Sequence, residues 1–226
     1  MRFWMTPWAW WMGILRADSD AGALPAPRFS AWLAATRRAL AEEADADVPC
    51  GDCTACCTSS YFIHVRPDDK AALARIPKKL LFAAPGLPKG HKVMGFDQRG
   101  HCPMLVDGRC SIYDDRPRTC RTYDCRVFAA TGLLAGEADK ERINAQAARW
   151  RFEGGDEEDT RGLEAARRAA AGLARLALRG EDLPRHPSQL ALLALRLHER
   201  LFGCDGEAAE DAALSQALRE LRARVE

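Results

Sequence analysis

The chain has 226 residues, 47% of them hydrophobic and 29% charged, with a formal net charge of +1. That is enough apolar material for one large domain or two small ones without covalent staples, and the charge balance gives no electrostatic case for a nucleic-acid or anionic-membrane surface. Nine cysteines are too few for a small disulfide scaffold, and an odd number leaves one over.

The first residues, MRFWMTPWAWWMGIL, set Arg2 before an apolar run. The run is about 13 residues, is interrupted by Pro7 and carries four tryptophans, against the roughly 20 apolar residues a bilayer span needs. It is read as a Trp-rich N-terminal extension over 1–27. A cleaved export signal, an interfacial anchor and a true start at Met12 are the alternatives. PAPRF at 25–29 is a turn-like lead into a helix, SAWLAATRRALAEEADAD. There Trp32, Leu33, Ala35, Thr36, Leu40 and Ala44 recur at helical spacing and Ser30 is the N-cap. SSYFIHV is rich in β-branched and aromatic residues and predicts a strand. RPDDKAALARI predicts a short helix with Pro67 at its first position and Asp68 and Asp69 at its positive end. Between 85 and 110, repeated Gly and Pro predict brief strands joined by tight turns. A helix or single turn starts at Pro117.

Beyond about residue 137 the composition turns to Ala, Leu, Arg and Glu. Helices are expected over 139–152 and 157–179, with the acidic GGDEED between them as a solvated loop. Leu190, Leu193, Leu197 and Leu201 form one apolar stripe, and Leu214, Leu218, Leu221 and Val225 another. Such stripes are core packing before they are partner grooves. The expected fold is α+β: a small cysteine-rich metal-binding module of short β-strands and turns, packed with a mainly α-helical scaffold. The expected divisions are 1–27, 28–136 for the cysteine-cluster domain with its leading helix, and 137–226 for the C-terminal helices.

The chemistry is concentrated in one segment. CGDCTACC at 50–57 places Cys50, Cys53, Cys56 and Cys57 in eight positions, and Cys102, Cys110, Cys120 and Cys125 follow. Thiolate is a soft ligand that favours zinc, copper(I) and iron–sulfur iron. C-x2-C recurs in zinc sites, and C-x2-C-x2-C also holds three corners of a cubane cluster, so both metals stay open. The later spacings match neither a zinc ribbon nor a ferredoxin run, so ligands must pair across the two groups. On an extended backbone Cys56 and Cys57 point to opposite sides, which predicts two metal centres or one polynuclear centre. From residue 50 to 126 there are 13 Lys and Arg against 8 Asp, and Arg116 and Arg121 are expected to lower thiol pKa values and to bond thiolates and carbonyls. His64, His91 and His101 are read as surface or packing histidines. Asp107, Asp114, Asp115 and Asp124 are read as turn and cap residues, Tyr113 and Tyr123 as aromatics shielding the metal, and Cys204 as a buried apolar thiol.

These residues resemble a known family. C-x2-C-x2-C-C at Cys50 to Cys57, Cys102-Pro103, Gly108-x-Cys110-x-Ile112-Tyr113, Arg116-Pro117-x-x-Cys120-Arg121 and Cys125 are similar to the YkgJ-type cysteine-cluster family, the CxxCxxCC domain described as zinc- or iron-chelating. The resemblance covers about residues 50–126. It implies that all eight clustered cysteines are metal ligands. Met104, Tyr123 and Asp124 depart from the family's pattern in ways that touch packing more than ligation. The family's association with flagellin lysine methylases implies the alternative, a metal- or iron–sulfur-dependent enzyme acting on a protein, although the chain shows no nucleotide loop and no radical-S-adenosylmethionine cysteine triplet. The expected function is that of a cytoplasmic metal-binding protein using zinc or iron, an iron–sulfur cluster included. Metal ions are the expected partners, with a protein partner conceivable through the C-terminal helices. No nucleic acid and no membrane span are expected.

Overall fold

The computed structural model describes residues 22–224. The readings placed on residues 1–21 and on Val225 lie outside them. In chain order the elements are β1 (Leu24–Ala26), α1 (Phe29–Leu40), β2 (Ile63–Val65), α2 (Lys70–Arg75), β3 (Leu81–Ala83), β4 (Lys92–Met94), β5 (Leu105–Val106), β6 (Arg109–Cys110), α3 (Arg118–Thr122) and α4 (Arg126–Thr131). There follow α5 (Glu141–Arg149), β7 (Trp150–Phe152), α6 (Glu157–Leu178), α7 (Pro187–Leu197) and α8 (Glu207–Arg222). Helix dominates and the strands are short, in several small sheets, so the class is α+β. Among the described residues no helix is long and apolar enough to cross a membrane.

The chain divides into two compact units. One comprises the residues up to Leu33, Cys125–Glu137 and those from Asn144 on; the other comprises Ala34–Asp124 and Ala138–Ile143.

In the first unit α6 is the central helix, packed by α4, α7, α8 and the 3-10 turn His198–Leu201. Its inward face is made of small residues, among them Ala165, Ala166, Ala169 and Ala170, followed by Leu173 and Leu176. Small side chains allow neighbouring helices to approach closely. At Gly172 a Cβ would stand 2.5 Å from the Leu214 side chain of α8, so a side chain there would force Leu214 to move. The two leucine stripes do pack inward: Leu190, Leu197, Leu201, Leu214 and Leu218 are buried, and Leu193 is half-buried. Arg175 of α6 reaches Asp211 at 2.7 Å and Glu210 at 3.3 Å on α8. Those two carboxylates are buried and therefore need partners.

Two short elements escaped the sequence. PAPRF is not simply a turn: β1 pairs in parallel with β7, Leu24 opposite Trp150 and Ala26 opposite Phe152. Pro25 is tolerated because a two-stranded ladder is all edge. The helix expected to run to residue 152 stops at Arg149 for the same reason. In α1, Trp32, Leu33 and Thr36 are buried as the spacing predicted, but the helix ends at Leu40, which is exposed.

Ser30 is not the N-cap; it lies in the first turn, and its N–H donates to Asp159 Oδ1 at 2.7 Å. Asp159 belongs to the stretch read as a solvated loop, and it is buried. Asp156 caps α6 by accepting from the Asp159 N–H at 3.0 Å, and Arg28 stands 3.1 Å from the second Asp159 oxygen. Hydrogen bonds from Ser30, then the Arg28 charge, hold this carboxyl below the ordinary range against the opposing effect of burial. A depressed native pKa stabilises above the unfolded value of about 3.9, and that contribution is lost as pH falls through the lower folded value. The urea midpoint of wild type should therefore exceed that of Asp159→Asn at neutral pH, with the gap closing below about pH 4. A gap that stays constant on acidification would show that the charge is not what matters.

The second unit is built on a three-stranded antiparallel sheet in the order β2-β4-β3, with Ile63 and Leu81 both opposite Met94. Val65, Ala72, Ile76, Met94, Met104 and Ile112 form its core, with Cys102 and Cys110 packed against it. Pro67 precedes α2 rather than opening it. The turn before α2 is set by Asp69, whose carboxylate accepts the Arg66 N–H at 2.9 Å and the Arg118 N–H at 2.8 Å. β5 and β6 form a hairpin whose two turn residues, Asp107 and Gly108, both have positive φ (49° and 74°). Asp-Gly suits this mirror-image turn, whose twist matches the strands it joins.

Candidate metal centre

Cys50 to Cys57 follow α1 as a chain of tight turns. The Cys53 N–H donates to the Cys50 carbonyl at 2.9 Å, and Cys56–Thr58 form one 3-10 turn entered from a helical Ala55. Thr58 Oγ1 bonds the Thr54 carbonyl at 3.0 Å and Ser59 Oγ the Ala55 carbonyl at 2.6 Å, which holds the turn from within. The next residue is tied to the other cysteine group, since the Ser60 N–H donates to the Gly100 carbonyl at 2.9 Å. Gly100 has φ +78°, which favours glycine, and a Cβ there would come within 2.3 Å of Ser60 Oγ and force that hydroxyl to move.

The two cysteine groups meet through the main chain. The Cys102 N–H donates to the Cys57 carbonyl at 2.7 Å. Cys102 then starts the β5–β6 hairpin, which carries Cys110 opposite Leu105, while Cys120 sits in α3 with its N–H on the Pro117 carbonyl at 2.8 Å. This main-chain bond sets the two cysteine groups side by side within the unit.

Helical rather than extended backbone at Cys56 and Cys57 overturns the expectation that their sulfurs diverge. The two Sγ atoms are 4.0 Å apart and hydrogen-bonded. Sulfurs on one tetrahedral zinc, with Zn–S of about 2.3 Å, lie about 3.8 Å apart. Vicinal placement therefore does not argue for two centres.

Electrostatics makes the gathering visible. Cys57 is lowered to about 7 by the hydrogen bond from Cys56, against the effect of burial. Cys56 is driven well above its ordinary value by giving that bond, by burial, and by negative charge on Cys57, Cys120 and Cys50. Burial raises Cys102 to about 11 and Cys120 to about 12, with charge on neighbouring cysteines adding to both. Cys110 is raised likewise, burial first and then Cys57. Arg116 pulls Cys110 and Cys120 down, as its sequence position suggested, but burial outweighs it. Six thiols within mutual electrostatic reach cannot all ionise unless positive charge is placed among them. The donor set is therefore chemically suited to zinc or iron. Among the described residues no group of three or more His, Cys, Asp or Glu side chains stands arranged to hold an ion.

Two of the eight cysteines differ in their surroundings. Cys53 is half-buried and joins the others through its main-chain bond to Cys50. Cys125 falls in the first unit, buried at the start of α4, where the Trp150 indole N–H donates to its sulfur at 3.3 Å.

The flanking residues follow the sequence only in part. Tyr123 meets Tyr61 edge-on, ring centroids 5.7 Å apart, and Lys140 stands 4.6 Å over the Tyr61 ring. Tyr113 shields nothing: it is 56% exposed, with the Arg116 guanidinium 4.0 Å over its ring. Arg116 and Arg121 do bond carbonyls, of Tyr113 and Arg116 respectively, and Arg121 also pairs with Asp45 at 3.2 Å. His64 and His91 stack, with Nε2 and Nδ1 2.8 Å apart, and burial followed by His91 lowers the His64 pKa. His101 contributes its main-chain N–H to Asp97. Cys204, expected to be buried, is half-exposed.

No curated protein and no solved structure matches the chain. Residues 49–147 match the family model CxxCxxCC, described as "Putative zinc- or iron-chelating domain". The match begins one residue before Cys50 and takes in every clustered cysteine.

Proposed function

We propose that the protein binds zinc or iron, an iron–sulfur cluster included, through Cys50, Cys53, Cys56, Cys57, Cys102, Cys110, Cys120 and Cys125. The observation that carries this reading is the joining of the two cysteine groups at the Cys57 carbonyl, with the Cys56 and Cys57 sulfurs 4.0 Å apart. Cys125 enters on the family spacing. The metal supplies the positive charge that lets the clustered thiols ionise together, and thiolate coordination then holds the turns of the second unit. A reducing compartment suits such a site, and the cytoplasm provides one.

Anaerobic purification followed by elemental analysis and an ultraviolet–visible spectrum tests the proposal. Stoichiometric zinc without colour, or iron with acid-labile sulfide and charge-transfer absorbance, is the expected result. Protein that is folded and metal-free after growth and purification with both metals supplied would overturn it. Iron with sulfide would direct attention to redox or catalytic work, whereas zinc would make the centre a structural staple.

A further inference from the structure

One face of the β2-β4-β3 sheet is spent on the core, because Ile63, Val65 and Met94 point into it. Strand alternation sends Phe62 and His64 to the opposite face, and register puts Val93 between His64 and Phe82. This outer face is aromatic and uncovered: Phe62 is 66% exposed and Phe82 58%, and Phe96 packs on Phe62 with ring centroids 5.0 Å apart. At Gly95 a Cβ would stand 3.6 Å from the Phe62 ring and 3.9 Å from the Phe82 ring, so the glycine keeps the space between the two rings open. Exposed aromatics grouped in this way are characteristic of interaction surfaces.

The sheet also has an open edge. β2 is covered on its outer side, where α3 packs and Thr119 Oγ1 donates to the His64 carbonyl at 2.7 Å. β3 pairs with β4 alone among the described residues. Its Phe82 and Ala83 are exposed, and the rung beyond the strand, the Ala84 N–H on the His91 carbonyl at 3.1 Å, continues the ladder with β4. Alternation therefore turns the Ala83 N–H and carbonyl away from β4. An unprotected edge strand is a template for another strand.

The rim is basic. From residue 61 to 101 there are eight Lys and Arg against three Asp. Lys78 and Lys79 lie in the turn entering β3, Lys89 in the β3–β4 connection and Lys92 at the start of β4. Among the described residues no ion pair engages these four lysines, whereas Asp97 is paired with Arg99.

We infer that the β3 edge and the Phe62–Phe82–Phe96 face dock an extended, acidic segment of a partner protein, which adds a strand beside β3, sets alternate apolar side chains on the phenylalanines and places carboxylates against Lys78 and Lys79. A nucleic acid would use the aromatics and lysines but would leave the edge N–H and C=O groups unmatched, whereas a peptide backbone completes them. A second copy of this chain would bring Lys78 and Lys79 against a surface of the same sign.

The test selects a random peptide library, displayed on phage, against the full-length metal-loaded chain. Selected peptides should combine acidic residues with apolar residues at every second position. Measured by fluorescence anisotropy, a synthetic copy of one of them should bind about tenfold more weakly to Phe82→Ser, and by a similar factor to the double variant Lys78→Glu, Lys79→Glu. Val106→Ser, on the exposed β5, should bind as wild type does, and unchanged metal content and circular dichroism establish that each variant is folded. The inference is overturned if no peptide is enriched, or if both variants keep full affinity. It is equally overturned if short oligothymidylate binds and is lost with Phe82→Ser, or if sedimentation shows a dimer that Phe82→Ser dissociates.

Discussion

Cys56→Ser should remove the bound metal and unfold the second unit. The apolar cluster around its sheet is small, six buried residues of which Ala72 is one, so apolar burial alone gives that cluster little margin. A structural metal contributes about 10–16 kcal/mol of coupled folding energy, against the roughly 5–15 kcal/mol by which an ordinary domain is stable. The effect should therefore exceed that of any apolar truncation. Cys57→Ser should behave in the same way, because it removes the thiol whose pKa is lowered to about 7 and with it the partner of the Cys56 hydrogen bond. Elemental analysis, with hydrogen exchange followed over residues 61–113, reads both consequences. Exchange should rise to the unfolded rate in either variant and in chelator-treated wild type, with Cys204→Ser as the silent control. Wild-type protection and metal content in both variants would end the proposal for these ligands.

Trp32→Ala should carry the largest cost in the first unit. Trp32 is 1% exposed, with ring centroids 5.9 Å from Phe29 and 5.1 Å from Phe152, and Phe29 in turn meets His198 edge-on at 5.7 Å. Removing the indole leaves a cavity among rings that cannot collapse into it, at about 3–5 kcal/mol. Trp32→Phe keeps a ring in place and should lose less. Urea denaturation monitored by far-ultraviolet circular dichroism provides the measurement. Equal midpoints for wild type and Trp32→Ala would mean that the aromatic cluster is not what anchors α1.

The sequence made the long helices legible because period and burial agree there: Leu190, Leu197, Leu214 and Leu218 are inward wherever the 3.6-residue spacing placed them. It made the cysteine set conspicuous because thiols at those spacings have few other uses. It did not reveal β1 and β7, since three residues are too few for an alternation to register and their pairing joins Leu24 to Trp150. Nor did it reveal Asp159, whose acidic neighbours look solvated until Ser30 and Arg28 are brought to it in space. The error at Cys56 and Cys57 came from assuming extended backbone for a segment that is a 3-10 turn, a local choice made by the Thr58 and Ser59 hydroxyls. The outer aromatic face went unnoticed although FIHV alternates: both faces of β2 carry apolar residues, so alternation alone does not say which face is buried.

The parallel pairing of β1 with β7 also bears on how the chain is made. Vectorial synthesis delivers Leu24–Ala26 to the ribosome exit long before Trp150–Phe152, and the helices of the first unit come later still. All eight clustered cysteines are translated in that interval. The segment that holds the proposed metal site is thus complete while the first unit still awaits its last helices, and the β1–β7 pairing can close only after it.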